Sequence, residues 1–80
     1  MTKEDVFGKF QDILINEFEI DKNIIKSDTK LYDDLELDSI DLVDLLVKMK
    51  EYLTGNIEPE KFKKALTVQD VVDILHPLAK

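Results

Sequence analysis

Apolar residues return every three or four positions in three stretches of this chain, and between those stretches the period is lost. In the first, Val6, Phe10, Ile13, Leu14 and Phe18 mark one helical face with Phe7 at its edge. Thr2, followed three residues later by Asp5, is a capping-box pair, so a helix is predicted from about Lys3 to Phe18. Gly8 inside it costs about 1 kcal/mol relative to alanine without breaking the pattern. In the second stretch, Ile40, Val43, Leu46, Val47 and Leu53 keep helical spacing, and Leu42, Leu45 and Met49 widen the stripe. Asp38 is a good N-cap and Asp41 its reciprocal partner, which puts Ser39 in the first turn of a helix running to about Tyr52 or Leu53. Thr54-Gly55-Asn56 then reads as the stop. The third stretch, Val68, Val71, Val72 and Leu75 with Ile74 beside them, follows the pair Thr67 and Asp70 and predicts a helix to about His76. Pro77 prevents easy continuation, and Leu78-Ala79-Lys80 is expected to fray.

Residues 19–37 have no sustained period. Asp21, Asn23, Ser27, Asp28 and Thr29 favour turns, while Ile20, Ile24, Ile25, Leu31, Leu35 and Leu37 suggest a long loop pinned to a core at intervals. Glu58-Pro59-Glu60 opens a short helical segment through Phe62 to about Ala65, with proline and acids where a first turn accepts them. The expected fold is all-α: a small four-helix bundle of three main helices and one short one, with a long loop between the first and second. Phe10, Leu14, Val43, Leu46, Val47, Phe62, Val68, Val71 and Val72 are the expected core.

Eighty residues make a single domain spanning 1–80. Without cysteine there is no disulfide and no thiolate metal site, so the fold rests on helix packing. The formal charge is −7 and there is no arginine, which sets nucleic acid aside as a partner and favours basic protein surfaces. That charge is concentrated. Residues 31–46 hold six acids and no lysine, and Ser39 lies among them. No apolar run approaches the ~20 residues of a membrane span, and the N-terminal residues lack the apolar core of a signal peptide, so a cytoplasmic monomer is expected.

A serine nucleophile needs a base within reach. Ser39 stands in no Gly-x-Ser-x-Gly elbow, and the one histidine, His76, falls at the end of the last predicted helix, where it suits the helix dipole. No catalytic residue is assigned. Asp34, Glu36 and Asp38 alternate as the first ligands of a calcium loop do, but Ser39 stands where that loop needs glycine and Leu45 where it needs glutamate, so no metal site is assigned. Asp41, Asp44 and Glu51 share a helical spacing and read either as a solvated face or as a stripe that basic partners dock against.

Leu37-Asp38-Ser39-Ile40-Asp41, followed by Val43-Asp44-Leu45, resembles the Asp-Ser-Leu site of acyl carrier proteins, and Thr67-Val68-Gln69-Asp70-Val71-Val72 looks like the start of that family's last helix. The resemblance implies the same helical topology and a carrier that is not itself an enzyme. It implies a 4'-phosphopantetheine arm, taken from coenzyme A by a phosphopantetheinyl transferase and attached at Ser39. The arm would hold acyl intermediates as thioesters for fatty acid or type II polyketide-like synthesis. Acyl-transfer and synthase enzymes with basic patches would dock on Asp38, Ile40, Asp41, Asp44 and Glu51. The alternative from another class is an unmodified acidic helical adaptor for a basic protein. Glu36 stands where many fatty acid carriers have glycine, Lys48-Met49-Lys50-Glu51 is less acidic than theirs, and Lys61, Lys63 and Lys64 add positive charge to the short helix. These features are similar to specialised carriers of aryl-polyene and related type II polyketide pathways. The Gly-Gly-x-Ser pattern of peptidyl carriers is absent.

Overall fold

A computed structural model describes residues 1–55 and 57–80. Three α-helices form the frame: α1 (Lys3–Phe18), α2 (Ser39–Met49) and α3 (Val68–Leu75). Each begins with a reciprocal capping box, at Thr2 and Asp5, Asp38 and Asp41, and Thr67 and Asp70. Two otherwise orphaned amides are satisfied at every start, which is why the N-terminal boundaries follow so closely from local sequence. Helix α1 packs on both α2 and α3. Its core side chains are Val6, Phe10 and Leu14; α2 contributes Leu42, Leu45, Leu46 and Met49, and α3 contributes Val68, Val71, Val72 and Leu75. The Lys3 ammonium lies 2.9 Å from the Asp73 carboxylate, linking α1 to α3 at the surface.

The fourth helix is smaller than expected. Pro59–Phe62 is a single 3₁₀ turn, after which Ala65 turns inward and is buried with Phe62. Helix α2 likewise tightens after Met49 into a 3₁₀ turn, Lys50–Tyr52, and Leu53 is already extended. Gly55 has φ 79°, the left-handed conformation that makes glycine useful just past a helical segment; Asn56 of the expected stop lies outside the described residues.

The long connection between α1 and α2 is tied down by specific bonds. Thr29 is buried; its hydroxyl donates to the Ile24 carbonyl at 2.6 Å and accepts from the Lys26 amide at 2.8 Å. The start of α3 borrows acceptors from this loop, since the Val68 amide donates to Thr29 O at 3.0 Å and the Gln69 amide to Ser27 O at 2.9 Å. In return the Leu31 amide donates to Leu66 O at 2.8 Å. Ile25, Leu31, Leu35 and Leu37 are buried as anticipated, Ile20 is half-buried, and Ile24, expected as an anchor, is 46% exposed, so the loop holds its course by backbone pairing at one end and four buried apolar anchors.

Two further expectations are corrected. Val43 and Val47, assigned to the core, are 44% and 62% exposed. Leu42, Leu45, Leu46 and Met49 satisfy helical spacing as well as Ile40, Val43 and Val47 do, and the period alone could not choose which stripe faces inward. The C-terminal tail is also held. After a 3₁₀ turn, His76–Leu78, the Lys80 amide donates to Tyr52 O at 3.0 Å, and Leu78 O accepts from the Thr54 amide and hydroxyl at 2.6 and 3.0 Å. Pro77 ends the helix as anticipated, but the chain then pairs with residues 52–54.

Candidate functional site

The approach to Ser39 is built from alternating anchors and turns. Leu35 and Leu37 are buried, and Glu36 between them has φ 56°, a left-handed conformation that an L-residue with a side chain seldom adopts. This is the position where the resembling fatty acid carriers often have glycine. Asp38 is extended, and its Oδ1 accepts from the Asp41 amide at 2.8 Å while Asp41 Oδ2 accepts from the Asp38 amide at 3.2 Å. Leu37 and Leu42, which flank the cap in the positions of a hydrophobic staple, are both buried. Apolar burial on each side of the capping box therefore sets the angle at which α2 begins.

Ser39 is the first residue of that helix and is exposed. Among the described residues its hydroxyl has no hydrogen-bonded base, and the amides of Ser39 and Ile40 have no protein acceptor. Two N–H groups and the positive end of the helix dipole are thus open to an anion attached at the hydroxyl. The neighbouring carboxylates of Asp38 and Asp41 are occupied with the reciprocal cap, which reduces their competition for those amides. A phosphodiester fits this position.

The other proposed contact residues divide. Asp38, Ile40 and Asp44 are exposed and lie close in sequence to Ser39, with Ile40 at 77% exposure; Asp41 is half-buried because of its capping role. Glu51 belongs to a different neighbourhood, since it follows the end of α2 and lines an open groove of about 580 Å³ between α1 and α2. There its carboxylate, beside Tyr52, raises the phenol's pKa above its ordinary value, and Lys9 Nζ sits 5.1 Å from the centroid of the Tyr52 ring. Sequence reasoning missed that Val43 and Val47 join Ile40 on the exposed side. The available signal was the presence of Asp44 on that same side, since a carboxylate marks the wet face of an amphipathic helix.

Away from Ser39, the acids have structural uses. Asp34 accepts from the Lys30 amide at 2.9 Å and Asp38 caps α2, so two of the three alternating carboxylates noted in the sequence are taken up in separate turns. Asp70 accepts from the amides of Leu66 and Thr67 at 2.9 and 3.1 Å, and those bonds hold its pKa below the usual carboxylate value. His76 follows α3 and donates its amide to Val72 O. Among the described residues no helix is long and apolar enough to cross a membrane.

Residues 8–75 match the family model described as "Phosphopantetheine attachment site", which places the chain in the class of proteins that bear 4'-phosphopantetheine. The chain is 33% identical over 75 residues to the acyl carrier protein of Lactobacillus acidophilus, covering 94% of each chain. It is 36% identical over 78 residues to acyl carrier protein 2 of Ralstonia nicotianae, covering 98% of this chain and 96% of that one. It is 33% identical over 75 residues to the acyl carrier protein of Petrotoga mobilis, covering 94% and 88%. The chain belongs to the acyl carrier protein family. It is a non-catalytic carrier, modified by a phosphopantetheinyl transferase.

Proposed function

We propose that Ser39 is the attachment point and that the whole of residues 1–80 acts as one monomeric, cytoplasmic carrier domain. The observation that carries this reading is the exposed Ser39 hydroxyl at the head of α2, with the Ser39 and Ile40 amides free to face a phosphodiester. Attachment requires the Ser39 hydroxyl to lose its proton to a base of the transferase as Oγ bonds to the phosphorus next to pantetheine and the pyrophosphate link of coenzyme A breaks, releasing adenosine 3',5'-bisphosphate. When bound, 4'-phosphopantetheine supplies a terminal thiol on a flexible arm, on which acyl groups are held as thioesters. The chain's own contribution is to hold the serine rigidly at a helix start and to keep it in solvent.

Docking of the transferase and of acyl-transfer and synthase enzymes uses Asp38, Ile40, Asp41 and Asp44, extended by the exposed Val43 and Val47 and, at the far end, by Glu51. The mixed character of the face supports this. Ile40, Val43 and Val47 offer apolar area next to carboxylates that can orient a basic partner. The pathway is fatty acid synthesis or a specialised type II polyketide-like synthesis of the aryl-polyene kind; Lys48, Lys50 and the lysines at 61, 63 and 64 support the specialised branch. Incubation with coenzyme A, magnesium and a phosphopantetheinyl transferase should give one added phosphopantetheine by intact mass. A Ser39→Ala protein that still gained the adduct would defeat the proposal.

A further inference from the structure

Lys48 is the one basic residue within α2, and it does not extend freely into solvent. Its ammonium lies 4.0 Å from Asp44 Oδ1, one turn back on the same helix, and 3.8 Å from Glu17 Oε2 across the groove on α1. The side chain keeps only 34% of its exposure, and its stem forms part of the groove wall beside Val47. Two carboxylates on different helices therefore flank the cation. It lies at the end of the exposed apolar stripe Ile40, Val43, Val47. A surface approaching α2 meets carboxylates at Asp38 and Asp44, then an ammonium that partly neutralises Asp44, and next along the chain Lys50.

We propose that Lys48 is a specificity-determining residue of carrier docking. It accepts partners whose basic groups leave a gap between Asp44 and Glu51 and disfavours those whose basic row runs unbroken past Lys48. The inference rests on the docking face given under Proposed function. Like charges facing each other across an interface select against a partner even when the remaining contacts fit. The contacts with Glu17 and Asp44 bias the ammonium toward this place while screening part of its charge, so its effect on a partner is moderate.

The test uses the full chain in a Ser39→Ala background, so that binding is independent of loading. The probe is a β-ketoacyl synthase whose carrier-facing surface is a continuous row of lysine and arginine. Its Kd is measured for the parent, Lys48→Gln, Lys48→Glu and Lys22→Glu, the last reversing one charge on a 3₁₀ turn in the long loop. Helicity by circular dichroism checks that each variant is folded. Lys48→Glu should lower Kd about fivefold at low salt, Lys48→Gln by a smaller factor, and Lys22→Glu hardly at all. The difference should fade in high salt as exposed charges are screened. An unchanged Kd for both Lys48 variants, or an equal fall with Lys22→Glu, overturns the proposal. Asp44→Lys, measured in the same series, tests the docking face itself: a raised Kd there with unchanged Lys48 variants counts against Lys48 alone, whereas an unchanged Kd for Asp44→Lys counts against the face on which the proposal rests.

Discussion

Replacing Glu36 with glycine should stabilise the protein, although it removes a side chain and adds chain entropy to the unfolded state. Glu36 holds φ 56° between buried Leu35 and Leu37. A left-handed residue bearing a Cβ costs roughly 1–2 kcal/mol, and glycine removes that cost while losing roughly 0.5–1 kcal/mol through its freer unfolded chain. Removing a carboxylate near Asp34 and Asp38 adds a few tenths of a kcal/mol at low salt, so the net gain is about 0.5–1 kcal/mol. For a domain of this size that corresponds to a rise in Tm of about 3–6 °C. Glu36→Ala is the informative companion, since it removes the same charge and keeps the Cβ. Thermal unfolding followed by circular dichroism at two salt concentrations should place the glycine variant clearly above the parent and the alanine variant close to it. If alanine matched glycine, charge would be the cause; if glycine lowered Tm, the strain argument would be wrong.

Leu46→Ala, at a buried position, should cost about 2–5 kcal/mol in urea unfolding, whereas Val47→Ala, at an adjacent exposed one, should stay within about 0.5 kcal/mol; equal losses would mean that α2 is rotated from the orientation described. Asp44→Lys should weaken acyl transfer to a basic-surfaced synthase without loss of helicity, whereas Asp41→Lys should weaken transfer and also cost about 1 kcal/mol, because its carboxylate closes the α2 cap. Unchanged transfer kinetics in both would remove the acids from docking. Asp70 has its pKa lowered by the Leu66 and Thr67 amides, so the unfolded chain binds more protons below the ordinary carboxylate pKa and stability falls with pH there. The contribution is fully present above that range and disappears as pH drops through the lowered folded value. Asp70→Asn should flatten the acid side of the Tm-against-pH curve, and an unaltered slope would contradict the assignment.

The parts of the fold that were legible in sequence are those decided within one turn of chain. Thr2 with Asp5, Asp38 with Asp41 and Thr67 with Asp70 each form the capping box their spacing suggested, because both partners belong to the same four residues. Ser39 could be placed for the same reason. What remained hidden depends on contacts from elsewhere. The two faces of α2 obey one period, and only packing against the rest of the core, α1 included, selects Leu42, Leu45, Leu46 and Met49 for burial. The order of the last three residues comes from pairing with residues 52–54, which a terminal proline gives no hint of. Glu36 was visible as a departure from glycine, but its left-handed backbone shows why that position suits glycine. The Lys48 contact with Glu17 crosses from α2 to α1 over 31 positions of sequence and has no local signature.

If one particular hydroxyl receives the prosthetic group, the chain carries its own comparison, because it contains two serines, Ser27 and Ser39. Ser27 lies in a turn whose carbonyl is bonded to the Gln69 amide, while Ser39 heads a capped helix. Fragmentation mass spectrometry of the protein loaded by a phosphopantetheinyl transferase should place the whole adduct on the peptide containing Ser39 and none on that containing Ser27. An adduct on Ser27, or none on either serine under conditions that load another acyl carrier protein, would contradict the account.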